Sequence, residues 1–308
     1  LAGAAILAIG LAACLQASPP AEAAAAAATA PPTPTPDGRP LQLVFADEFN
    51  TFRPWSRGQG VWRTHLRDGK DVFSKTQDDD FHLRTLQWNA EQQLYVDPDM
   101  VGHAGKHGNE EPPGQRAGQR RLGLNPFRVR NGALEIVADK APANLADQLG
   151  GFQYTSGVIT SQPSHSQTYG YFEMRAKLPR GKGIWPAFWL LPLDLSWPPE
   201  IDVMESIGDP SEVYVTVHSK ITKPPNKKIN VTPDDFHVYA VAWDPQDIVW
   251  FIDGKEVHRV PTPLDMNKPM YMLANVAVGG HWPGSPDAST RFPQVMSIDY
   301  IRAYRFAR

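Results

Sequence analysis

"FHVYAVAWDPQDIVWFIDGKEVHRV", residues 236–260, decides the fold. Three runs rich in aromatic and β-branched residues are separated by "DPQD" at 244–247 and by Asp253-Gly254, two turn signals that predict a double β-hairpin. The same grammar recurs on either side. "GALEIVAD", Gly132 to Asp139, alternates after the turn-like "RN". In "YGYFEMRAKLP", residues 169–179, Tyr171, Glu173 and Arg175 alternate with Phe172, Met174 and Ala176. "MYMLANVAVGG" and "SIDYIRAYRF" supply further runs, and no stretch of the chain beyond the N-terminal region holds a helical period for three turns. Many short strands at near-regular spacing predict an all-β sandwich or jelly roll of two packed antiparallel sheets.

Composition agrees with this and narrows the partner. With 30 Pro, 24 Gly, nine Trp and nine Tyr, the chain is turn-punctuated and rich in flat aromatic surface, on which sugar rings stack. Its 30 Lys and Arg nearly balance 33 Asp and Glu without blocks of either sign, so nothing in it favours nucleic acid or an anionic membrane. A neutral partner fits.

Residues 1–40 read differently. "LAGAAILAIGLAACLQAS", residues 1–18, has the small, apolar character of a secretion signal core and is short for a membrane span. Its "LAAC" resembles a bacterial lipobox, with Cys14, the single cysteine, as the residue to be acylated; one thiol also rules out an intrachain disulfide. Residues 19–40, "PPAEAAAAAATAPPTPTPDGRP", lack large apolar side chains and are expected to form a disordered tether, so the folded domain is expected over 41–308. These features imply export across a bacterial inner membrane, to an envelope lipoprotein tethered through Cys14 or to the exterior. Residues 97–125, polar and Gly-rich, are expected to form a long loop over one end of the sandwich. His103, His107, Glu110 and Glu111 within it match no ligand spacing for a transition metal.

The chemistry is carried by "WPPEIDVMESIG", Trp197 to Gly208. In a strand Glu200 and Asp202 share one face, while Ile201 and Val203 point into the core. Glu205 lies an odd number of positions from Glu200, and a β-bulge at Val203-Met204 would return it to the same face. Three carboxylates in a row oppose one another's ionisation, an arrangement of no structural benefit. Glycosidic cleavage with retention does need such a group: a nucleophile and a proton donor roughly 5 to 5.5 Å apart. Spacing alone does not say which is which. A lectin-like binder on the same scaffold would have no reason to tolerate the charges.

These residues resemble a known family. "EIDVMES" is similar to the Glu-x-Asp-x-x-Glu signature of glycoside hydrolase family 16, in the bulged form of its laminarinase-like members. "VFADEF", "NAEQQLY", "YTSGVITS", "YGYFEMRAKLPRGKGIWPAFWLLP", "TVHS", "NVAVGGHWPGSPD" and "SIDYIRAYRF" are similar to further family segments in the expected order, from Leu43 to Tyr304. The resemblance implies a concanavalin A-like β-sandwich and a retaining endo-β-glycanase that needs no cofactor. It implies Glu200 as nucleophile, Glu205 as general acid/base, Asp202 as assisting carboxylate and His218 as a cleft histidine. Trp185, Trp189 and Trp282 are expected to stack on sugar rings, and Asn89, Glu91, Arg175 and Asn275 to contact hydroxyls. Many relatives hold a structural calcium, for which Asp299 and Glu48 are the candidate ligands. Within the family, "WPPEIDVMES" together with "LGLNPFRV" most resembles bacterial members that cut β-1,3 or mixed β-1,3-1,4 glucan, which implies such a substrate, with exopolysaccharide of the succinoglycan type or transglycosylation as alternatives. A monomer is expected.

Overall fold

The computed structural model describes residues 33–66, 83–102, 121–224, 226–233 and 235–307. The segments expected as signal and most of the tether, with Cys14, lie outside them, as do His103, His107, Glu110 and Glu111. Strands are numbered β1 to β17 in chain order. Two sheets account for all of them.

The six-stranded sheet is antiparallel and runs in the order β12 (Lys227–Asn230), β11 (Glu212–His218), β10 (Glu200–Glu205), β9 (Ile184–Pro192), β16 (Met270–Val278), β7 (Val158–Thr160). The larger sheet runs β15 (Lys255–Pro261), β14 (Asp247–Ile252), β13 (His237–Trp243), β8 (Gly170–Lys177), β17 (Gln294–Phe306), β5 (Ala133–Lys140), β6 (Tyr154–Ser156), β3 (Gln93–Tyr95). β1 (Thr33–Pro34) and β2 (Pro40–Asp47) extend it beside β17, and β4 (Phe127–Arg130) pairs with β5. One pairing departs from the antiparallel expectation, since β3 and β6 run parallel.

The double hairpin forms where the sequence places it. Asp244 accepts hydrogen bonds from the backbone N–H groups of Gln246 and Asp247 at 2.7 and 2.8 Å, closing the first turn. Asp253 and Gly254 both have positive φ, 50° and 74°, the backbone that a tight turn matching the strand twist requires. In β8, Phe172, Met174 and Ala176 are fully buried between the sheets and the alternate row faces outward. Part of the segment expected to be tether is strand: β1 pairs back on β2, around a turn in which Thr35 bonds Asp37 and Arg39 reaches Asp244 at 2.7 Å.

The base of the 97–125 loop is closed by a bridge between Val101 and Arg121 and an Asp99–Arg121 ion pair of 2.8 Å.

Candidate active site

Alternation in the six-stranded sheet divides two jobs. From β9 Ile184, Phe188 and Leu190 enter the core, and from β16 Met270, Met272, Ala274, Val276 and Val278 join them. The opposite face carries Trp185, Ala187, Trp189, Leu191, Tyr271, Asn275 and Ala277, which floor an open cleft of about 460 Å³. That is within the ~300 to 1,000 Å³ common for sites that take a small organic ligand.

β10 crosses this floor. Its pairing register breaks after Asp202 against both neighbours, so Val203 and Met204 together occupy the space of one residue and both point into the core. The bulge returns Glu205 to the cleft face with Glu200 and Asp202, and all three line the cleft.

Each carboxylate has specific company. Trp197 donates its indole N–H to Glu200 Oε2 at 2.7 Å, and Trp185 donates to Glu205 Oε1 at 3.0 Å. His218 Nε2, from β11, lies 3.2 Å from Asp202 Oδ2 and 3.8 Å from Glu200 Oε1. Burial and the charge of Glu200 push Glu205 up to about 8, against the opposing bond from Trp185. Burial and the charge of Glu205 raise Asp202 to about 6, and burial with the charge of Asp202 holds Glu200 well above the ordinary carboxylate range. His218 moves up to about 9, chiefly through its close contact with the Asp202 carboxylate, so it is an imidazolium near neutrality. The cluster shares protons and titrates as a unit.

Of the tryptophans expected to stack on sugars, Trp185 and Trp189 line the cleft and Trp282 packs against Trp185. Trp189 donates to Asn275 Oδ1 at 2.8 Å, and Asn275 donates to the Tyr95 hydroxyl at 2.9 Å, which fixes the tilt of the Trp189 ring. Trp282 stands edge-on to Trp185 and Tyr214, with ring centres 5.7 and 4.8 Å apart. Glu91 is buried at the cleft edge, bonded by Gln93 at 2.6 Å and by Asn89 at 3.4 Å; burial raises its pKa. It braces the 86–91 turn, and both Glu91 and Asn89 line the cleft.

Three expectations are corrected. Arg175 belongs to β8 of the other sheet, where it pairs with Asp299 at 2.6 Å and covers the Phe236 ring, so it does not reach the cleft. The calcium ligands do not fit a cation: Asp299 is taken by Arg175, and Glu48 accepts two hydrogen bonds from Arg302 at 2.8 Å. Among the described residues neither falls in a cluster of three candidate metal ligands. Both are ion-pair partners.

The sequence reading missed Trp88 and Trp197 as a unit. Their rings lie 5.7 Å apart at one end of the cleft, and they are 62% and 51% exposed, unusual for indoles on a folded surface.

A family model for glycosyl hydrolases family 16 matches residues 119–302. The chain belongs to that family. It is 41% identical over 269 residues to the endo-1,3-1,4-β-glycanase ExsH of Rhizobium meliloti (strain 1021), covering 86% of this chain and 52% of the relative. It is 38% identical to the endo-1,3-1,4-β-glycanase EglC of the same organism, with the same coverage. The chain thus spans about half the length of these two relatives. The catalytic domain of an endo-1,3-β-glucanase (laminarinase) from Thermotoga petrophila RKU-1 superposes with a TM-score of 0.65 at 30% identity, covering 88% of this chain and all of the other. The fold is the family's jelly roll.

Proposed function

We propose that this chain is a retaining endo-β-glycanase that hydrolyses β-1,3 or mixed β-1,3-1,4 glucan by double displacement. One observation carries the reading: a bulge places three carboxylates, buried Asp202 and Glu205 and half-buried Glu200, in a row on the floor of an open cleft lined by indoles, where each raises another's pKa.

The donors around each carboxylate support a division of roles. Glu200 accepts one hydrogen bond, from the Trp197 N–H, and has the His218 imidazolium 3.8 Å from its other oxygen; both favour its charged form against the burial and the Asp202 charge that raise its pKa. Glu205 has one donor, Trp185, and keeps the proton near neutrality. In the first step Glu200 attacks the anomeric carbon, and the glycosidic bond breaks as Glu205 protonates the leaving oxygen. In the second, Glu205 takes a proton from water, whose oxygen attacks the anomeric carbon and releases Glu200. Asp202, held by His218, adjusts the charge of Glu200 between the steps. Trp185 and Trp189 in the cleft, with Trp282 packed edge-on against Trp185, offer apolar faces for pyranose C–H groups, and Asn89, Glu91 and Asn275 stand in the cleft as hydroxyl partners.

The linkage is supported by the relatives named endo-1,3-1,4-β-glycanase. Mass spectrometry of products from laminarin, mixed-linkage glucan, agarose and succinoglycan, with Glu200→Gln as control, tests it. Short oligosaccharides from either of the first two are expected. Products from succinoglycan alone would replace the substrate by bacterial exopolysaccharide, and products longer than the substrate would mark transglycosylation, with a sugar hydroxyl in place of water. No product from any would overturn the enzymatic reading in favour of a binder.

We also propose that the protein is exported, acts as a monomer and is anchored through acylated Cys14. Palmitate labelling of the full chain in a bacterial host, lost in Cys14→Ser, is the expected result; no labelling would point to release outside the cell.

A further inference from the structure

The bulge in β10 is where this site is most exposed to error. A bulge disrupts the ladder locally, and a one-residue slip sends every later side chain of the strand to the opposite face. Here such a slip would turn Glu205 into the core. Something must pin the register at Asp202, and the pin comes from the other sheet. The indole N–H of Trp250, on β14, donates to the backbone carbonyl of Asp202 at 2.9 Å, at the point where pairing breaks on both sides.

Trp250 has little freedom to do otherwise. It is 1% exposed and stacks on His258, ring centres 5.4 Å apart and planes 28° from parallel. Its own strand carries a register break between Trp250 and Phe251 against β15, so a second irregularity faces the first across the core. Trp243, on the adjacent strand β13, is equally buried, yet its indole N–H has no hydrogen-bond partner among the described residues. The contrast shows that a buried tryptophan here does not bond the facing sheet by default.

We propose that Trp250 is a positioning residue for catalysis: its hydrogen bond across the core fixes the β10 bulge and thereby the side and depth at which Glu205 emerges. The inference rests on the reading of Glu205 as acid/base. Its signature is kinetic. A merely structural tryptophan lowers stability when truncated and leaves the turnover of the folded fraction unchanged.

The experiment compares Trp250→Phe, which removes the N–H and keeps an aromatic ring, with Trp243→Phe as the control. Turnover by the wild type is read first; its absence would overturn the functional reading and this inference with it. With an active wild type, folded Trp250→Phe is expected to lose about 10- to 100-fold in kcat with KM within about twofold, the scale of a small misplacement of a reacting group. Its alkaline pH limb should move toward lower pH, because Glu205 would sit less deeply against Trp185, Glu200 and Asp202 and the β11 groups Tyr214 and His218. Trp243→Phe should match the wild type in kcat and pH limb. Unchanged kcat and pH limb in Trp250→Phe, or equal losses in both variants, would overturn the inference alone. Should Trp250→Phe fail to fold, site-specific replacement of Trp250 by the sulfur isostere of tryptophan, which keeps both rings and lacks the N–H, makes the same comparison with the same deciding results.

Discussion

At the residue scale, Glu200 and Glu205 each accept one indole N–H and differ through the His218 imidazolium beside Glu200, and substitution separates them. Glu200→Gln is expected to abolish turnover while oligosaccharide binding, read by calorimetry, stays within a few-fold of wild type; retained turnover would sink its role. Glu205→Ala should lose about 10²- to 10⁴-fold on natural glucan, the usual worth of a general acid. It should keep the first step on substrates with an activated leaving group, and added azide should yield a glycosyl azide of retained configuration. The pH profile carries the same logic, since Glu205 must hold a proton to act and activity should fall as pH rises through about 8. Stability depends on the same group. Its folded pKa of about 8 exceeds the ordinary 4.5, so its contribution is full below about 4.5 and is lost as pH rises through about 8. Glu205→Gln should therefore melt above the wild type at pH 8 and lose that advantage near pH 4, with roughly 2 to 4 °C per kcal/mol. A gap independent of pH would contradict this. The parity of these three carboxylates was legible in the sequence, because the period of a strand and one inserted residue determine it.

At the element scale, parity reaches its limit. Alternation in β8 correctly separates Arg175 from Phe172, Met174 and Ala176, but it cannot say which of two sheets the strand joins. Arg175 consequently appears on the sheet opposite the cleft, and Asp299 and Glu48 meet arginines brought from distant strands. The Trp88 and Trp197 pair was illegible for a related reason: one ring comes from the short 3-10 helix Gln87–Asn89 and the other from the loop before β10, 109 positions apart in a chain whose contacts no period encodes. The turn after β10 is also set by close approach. Gly208 has φ of 99°, and a Cβ there would lie 2.3 Å from the carbonyl oxygen of Gly181, whose N–H bonds Gly208 in return at 2.8 Å. Gly208→Ala is expected to cost about 1 to 3 kcal/mol in denaturant melts, since both backbone strain and the clash act on the same turn. A loss under about 0.5 kcal/mol, the range of an ordinary surface change, would show that the turn yields.

At the scale of the whole molecule, a net charge of −3 and an absence of single-sign blocks leave no long-range field to attract an anionic polymer. For a neutral β-glucan KM should stay constant between about 50 and 500 mM salt, where screening lengths shrink severalfold. A KM that changes strongly over that range would favour an acidic exopolysaccharide. The sandwich itself was legible from the turn signals and alternating runs, whereas the parallel pairing of β3 with β6 was not, because direction of pairing depends on which strands the loops bring together.

The mechanism stands or falls on a covalent bond between Glu200 and the sugar. Incubating the wild type with an activated 2-deoxy-2-fluoro β-glycoside of laminaribiose, then reading intact and peptide masses, decides whether that bond forms. A stable adduct of one disaccharide is expected on the peptide spanning Glu200, absent from Glu200→Gln. An adduct on Asp202 or Glu205, or product of inverted configuration with no adduct at all, would refute the double displacement through Glu200.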